Sequence, residues 1–138
     1  WYNPLNPATY ATAEANARRY FQTHAAGAAA LGKPLVLEEF GLARDWEPLH
    51  DLYNPAAPTT CRDRFYTAMF EEVYHSASTD GPAAGANLWA WSALARPGDD
   101  WIGDPPHETP GWYSVYDTDA STLAIIAAHA EAMARLGE

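Results

Sequence analysis

Gly32-Lys33-Pro34-Leu35-Val36-Leu37-Glu38-Glu39-Phe40-Gly41 decides how the rest of the chain is read. Gly32 suits the left-handed residue that closes a helix, and Pro34 prevents that helix from continuing. Leu35-Val36-Leu37 is apolar at successive positions, so both faces of the expected strand are hydrophobic, as in a parallel strand covered on both sides. Two acidic residues, an aromatic residue and a glycine come next. Side chains alternate along a strand, so Glu38 and Glu39 are expected on opposite faces. Only one of them then looks out of the end of the sheet; the other is buried with a partner or held by backbone donors. On composition alone, a solvated strand end explains the pair equally well.

Upstream, Asn6-Pro7 can start a helix, and Tyr10, Ala13, Ala17, Tyr20, His24, Ala28 and Leu31 keep a helical period. Downstream lies a polar, Pro-rich loop over residues 42–58, in which Arg44-Asp45 reads as a loop-fixing ion pair. A second helix comes after it, capped by the hydroxyls of Thr59 or Thr60, with Phe65, Met69 and Val73 on one face. Gly81-Pro82 breaks the chain, residues 86–91 form a second strand candidate, and a second long loop covers 92–118. Asp119 or Ser121 caps a last helix whose stripe is Leu123, Ile126, Ala130 and Met133. The order is α-β-loop-α-β-loop-α, which implies parallel strands joined by right-handed crossovers. Two strands do not make a stable sheet buried on both faces. The chain therefore lacks most of its sheet or borrows strands, and long loops after strand ends are where barrel enzymes keep their sites. The opening WYNPLNP, without a methionine, reads as a cut end.

Composition narrows the partner. Lys+Arg 8 against Asp+Glu 18 gives a net charge of -10, which argues against nucleic acid and anionic membrane. Trp 6, Tyr 8 and Phe 4 exceed the needs of a small core, so some rings are expected along a surface groove that takes a neutral polymer such as a polysaccharide. The single Cys61 cannot form an internal disulfide and reads as a small buried apolar residue. No Cys/His spacing suggests a metal site, and no cofactor is expected. A non-catalytic carbohydrate-binding module fits the aromatics, but such modules are mostly β-sandwiches, and three helical stripes count against one.

The motifs carry a resemblance. Residues 32–45 are similar to the seventh-strand motif of glycoside hydrolase family 5, closest to its endo-β-1,4-mannanases. Gly85-Ala86-Asn87-Leu88-Trp89-Ala90-Trp91 resembles that family's eighth strand. Residues 103–108 and 111–117 resemble the closing loop of the same enzymes. The resemblance implies an α/β fold: residues 1–138 as the C-terminal portion of one (β/α)8 TIM barrel, about strands 7 and 8 with flanking helices, the N-terminal part being absent from this sequence.

It also implies a retaining endo-glycosidase acting on β-1,4-mannan, with Glu39 as nucleophile and Trp89 as the floor under the sugar attacked. Glu38 would face away in a structural role. Trp1 and Trp101 become candidate substrate contacts, Trp91 a core residue, and Trp112 a pin for the closing loop, with His107 and Glu108 on the surface. The family's acid/base glutamate has no counterpart here, so its partners are β-mannan and the remainder of the barrel. Secretion is expected because polymeric mannan cannot enter a cell. A cellulase or other family 5 β-glycanase is the alternative within the fold, and an inactive fragment the alternative outside catalysis.

Overall fold

The computed structural model describes residues 2–46, 54–99, 109 and 111–137. A single 3-10 turn, Pro7–Thr9, leads into α1, Tyr10–Leu31. This helix ends as its sequence dictates. Gly32 takes the left-handed conformation at φ 59, and the N–H groups of Gly32 and Lys33 donate to the carbonyls of Ala29 and Ala28, each at 3.0 Å, a Schellman closure. The expected stripe of α1 holds at Tyr10, Ala13, Ala17 and Ala28 and fails at Tyr20, His24 and Leu31, where the buried face moves to Phe21 and Ala25. Tyr10 and Phe21 are buried and Ala17 and Ala25 pack beside them, while Tyr20 is 62% exposed and stacks with exposed His24 on the outer surface. An alanine-rich helix offers small residues on every side, so the one buried phenylalanine sets the phase.

After Pro34 the chain enters β1, Leu35–Phe40, crosses through α2, Thr60–Ser78, and returns as β2, Ala83–Leu88. The two strands pair in parallel. Phe65, Met69 and Val73 of α2 are buried as expected, and Arg62, Tyr66 and Phe70 join them. The expected threonine cap is absent: neither Thr59 nor Thr60 caps with its hydroxyl. The Asp45 carboxylate does so from the preceding loop, accepting the N–H of Thr60 at 2.8 Å and of Cys61 at 3.1 Å. Arg44 and Asp45 thus do not form the ion pair with each other.

The second strand lies earlier than expected and stops at Leu88. After a cis Trp89–Ala90 peptide, β3, Trp91–Ala93, pairs in parallel with β4, Val115–Tyr116. These short strands bind the end of the 92–118 loop, so residues read as loop include a strand pair. The last helix, α3, spans Ala120–Arg135. Leu123, Ile126 and Met133 lie against the core as expected, but Ala130 is exposed, and His129 stacks flat on Phe70 at 4.1 Å. Asp119 stands at the N-cap position without capping, because its side chain turns inward.

The helices cover one face of the β1–β2 pair. Leu37 and Phe40 are buried there, while Val36, on the opposite face, is 43% exposed. Among the described residues the expected cover on both faces is therefore present on one only.

Candidate active site

The site begins with a break in alternation. Strict period two would put Leu35, Leu37 and Glu39 on the helix-covered face. The register instead runs Glu38 to Asn87 and then Phe40 to Leu88, leaving Glu39 as an extra, unpaired residue. It is a β-bulge at the C-terminal end of β1, and Glu39 sits at φ 54, a conformation that costs a non-glycine residue about 1–3 kcal/mol. The bulge lets Phe40 take the buried position, and both acids stay exposed. Of the expected alternatives for the acid that does not look out of the sheet, neither burial nor backbone donors is found among the described residues, and the inserted residue breaks the strict alternation on which the expectation rested. Bulges of this kind re-aim a side chain beside a site.

Phe40 and Gly41 hold the bulge in place. Phe40 makes edge contacts with Tyr66 at 5.5 Å and Phe70 at 5.6 Å between ring centres. Gly41 needs no positive φ; it is required by close approach, since a Cβ there would lie 2.1 Å from the Trp89 carbonyl oxygen. The aromatic-glycine pair is therefore an anchor and then a gap filled by the neighbouring strand exit. Glu38 accepts a hydrogen bond from the Asn87 amide at 3.3 Å. Glu39 receives none from any described residue.

Trp89 leaves β2 at the same end, because the strands are parallel. Its N–H donates to the Phe40 carbonyl at 2.9 Å, its carbonyl accepts the Tyr66 hydroxyl at 3.3 Å, and its side chain is half-buried. Burial pushes the Tyr66 phenol well above its ordinary value, so it remains a donor at any working pH. Trp91, expected in the core, is 55% exposed among the described residues: β2 ends at Leu88, and Trp91 begins the separate short strand β3. Trp112 is half-buried and stacks on Tyr113 at 6.0 Å. Trp1, Trp101, His107 and Glu108 lie outside the described residues.

Sequence reasoning missed a knot of buried charge behind the site. Arg44 and Arg62 both reach Oδ2 of Asp119, at 2.5 and 3.4 Å, and the Tyr116 N–H donates to the same oxygen at 2.9 Å. Arg44 also donates to the Ala57 carbonyl at 3.1 Å, and Arg62 to the carbonyls of Leu42 at 3.0 Å and Ser114 at 2.8 Å. The exit of β1, the far end of its loop and the entry to α3 are thus tied together. Tyr116 lies between the guanidinium groups of Arg44 and Arg96, at 4.8 and 4.6 Å. Burial pulls the Arg62 guanidinium down from its ordinary value, yet arginine keeps its charge in proteins. The available signal was positional: Arg62 falls on the Phe65-Met69-Val73 stripe, where an arginine is buried only with partners.

A model of the GH family 5 beta-mannosidase-like family matches residues 1–138. The putative mannan endo-1,4-beta-mannosidase 4 of Arabidopsis thaliana is 35% identical over 109 residues, which is 78% of this chain and 22% of that protein. The crystal structure of a glycoside hydrolase family 5 mannosidase from Rhizomucor miehei superposes with TM-score 0.89 at 34% identity, over 98% of this chain and 35% of that one. A mutant of that enzyme in complex with mannosyl-fructose matches with TM-score 0.87 at 34% identity, over 99% of this chain and 36% of that one. These enzymes are TIM barrels, and this chain spans about a fifth of the curated relative and about a third of the solved ones. The chain belongs to glycoside hydrolase family 5, on its β-mannosidase-like, mannanase-containing branch.

Proposed function

We propose that this chain supplies the nucleophile side of a retaining β-mannan-cleaving site, as strands seven and eight of a single catalytic barrel. The observation that carries the reading is Glu39 raised on a bulge, with a positive φ, at the C-terminal end of a parallel strand whose neighbour leads into Trp89. Barrel enzymes keep their chemistry at that end.

Glu39 attacks the anomeric carbon as the glycosidic bond breaks. A second carboxylic acid, contributed by the rest of the barrel about 5–5.5 Å away, protonates the leaving oxygen. Water activated by that same group then releases the sugar from Glu39, so the anomeric configuration is retained. Trp89 offers its ring face to the apolar face of the attacked sugar, and Trp1 and Trp101 are candidate contacts further along the chain. The chemistry uses no cofactor. A polymeric substrate favours secretion, tested by locating the activity in the medium or within cells.

In the complete enzyme, Glu39→Gln should lower kcat on β-1,4-mannan by roughly 10³-fold or more, as losing one member of a cooperating set does. A variant that keeps most of its turnover removes Glu39 from the nucleophile role. A second reading, exo-acting cleavage of short β-mannosides, is favoured by the mannosidase relatives and the mannosyl-fructose complex. Rapid loss of mannan viscosity supports the endo reading. Release of monosaccharide from chain ends with viscosity preserved supports the exo one.

A further inference from the structure

The backbone of Trp89 is held by three contacts, all from residues beside or behind the bulge. Its N–H is taken by the Phe40 carbonyl, its carbonyl by the Tyr66 hydroxyl, and Gly41 leaves the gap in which that carbonyl sits. Tyr66 touches both halves of the site. Its ring packs edge-on against Phe40, the neighbour of Glu39, and its hydroxyl ends on Trp89. It is fully buried at 0% exposure and leans also on Phe70 at 5.9 Å. A hydroxyl is not needed to fill that space, since phenylalanine would pack the same ring. What the oxygen adds is a directional bond to the residue whose side chain meets the sugar.

From this arrangement we infer that Tyr66 is a positioning residue: it fixes the Trp89 platform relative to the Glu39 bulge, so that the attacked sugar and the attacking carboxylate share one register. The inference rests on the reading of Glu39 as nucleophile and Trp89 as sugar floor. Contacts that matter most when the sugar ring is distorted on the way to the transition state affect turnover more than ground-state binding. Tyr66 touches no substrate atom itself. A shift of the platform by a fraction of an ångström is the whole of its effect.

The test uses the complete enzyme and Tyr66→Phe, which keeps the ring and removes only the oxygen. A 2-deoxy-2-fluoro-β-mannosyl fluoride loses fluoride as the nucleophile's oxygen bonds to the anomeric carbon, and the slow-hydrolysing adduct counts competent sites. Turnover of a mannan oligosaccharide is then expressed per titrated site, which removes any unfolded fraction. The expected result is a fall in kcat per site of about tenfold with KM within twofold and the thermal midpoint nearly unchanged. An unchanged kcat per site overturns the inference, as does a variant that loses turnover only in proportion to its lost sites or fails to fold. The reading beneath it fails separately: Glu39→Gln would then keep its turnover, or the adduct would map to a residue other than Glu39, whatever Tyr66→Phe does.

Discussion

Glu39 and Asp119 are both carboxylates whose placement is set by the strand exits, and their surroundings are opposite. Asp119 is 7% exposed, and a single oxygen of it receives Arg44, Arg62 and the Tyr116 N–H. Glu39 is exposed, receives nothing from the described residues, and sits in a backbone conformation that L side chains avoid. A carboxylate that serves the fold is surrounded by donors, because a buried charge without them is costly. Glu39 keeps a strained backbone conformation with no donor among the described residues to offset it, and the strain makes sense when the side chain must point at a ligand. Structural and chemical acids in this chain are therefore separable by experiment.

The largest effects should fall on opposite observables. Glu39→Gln is expected to cut turnover by roughly 10³-fold while leaving the thermal midpoint level, since strain and exposure are unaffected. Asp119→Asn removes the charge from between two buried guanidinium groups and should destabilise by about 3–5 kcal/mol, measured by chemical denaturation. Equal losses of stability in both variants would break the comparison.

Between these lies Gly41→Ala. Its new methyl meets the Trp89 carbonyl, and the forced backbone shift is expected to cost about 1–3 kcal/mol, with turnover falling as well. A neutral Gly41→Ala would mean that the two strand exits are not locked together.

The smallest effect concerns His129, stacked on Phe70 between α2 and α3. Burial pulls its pKa below the ordinary 6.5. The folded state thus resists a proton that the unfolded chain accepts, so this contribution is present above pH 6.5 and is lost as the pH falls below it. His129→Phe should narrow the fall in thermal midpoint between about pH 7 and about pH 5 while changing little at about pH 8. An identical pH dependence in both proteins would show that the ring is solvated.

Legibility depended on the range of the interaction. Helix termination at Gly32, the apolar Leu35-Val36-Leu37 run and the α2 stripe are local, and each can be read from neighbouring residues. The family resemblance rests on long motifs in the correct order, which single residues cannot mimic. The middle of the α1 stripe was misplaced by one residue, at Tyr20 and His24, because alanine packs on any side and only Phe21 distinguishes one face. The bulge was invisible because alternation is a rule about regular strands, and nothing in Glu38-Glu39 signals an inserted residue. Asp45 capping α2 from 15 residues away, and Asp119 turning from its own helix toward Arg44 and Arg62, are choices made by tertiary contacts. Trp91 stands on β3 and not on β2 for the same reason: the short β3–β4 pair forms only when distant segments meet.

Whether Glu39 forms the bond to sugar is tested most directly by incubating the complete enzyme with a 2-deoxy-2-fluoro-β-mannosyl fluoride, digesting it and mapping the modified peptide by mass spectrometry. One adduct is expected, on Glu39, forming with loss of activity and absent from Glu39→Gln. An adduct on Glu38 or any other residue, or inactivation that persists in Glu39→Gln, would contradict Glu39 as the nucleophile.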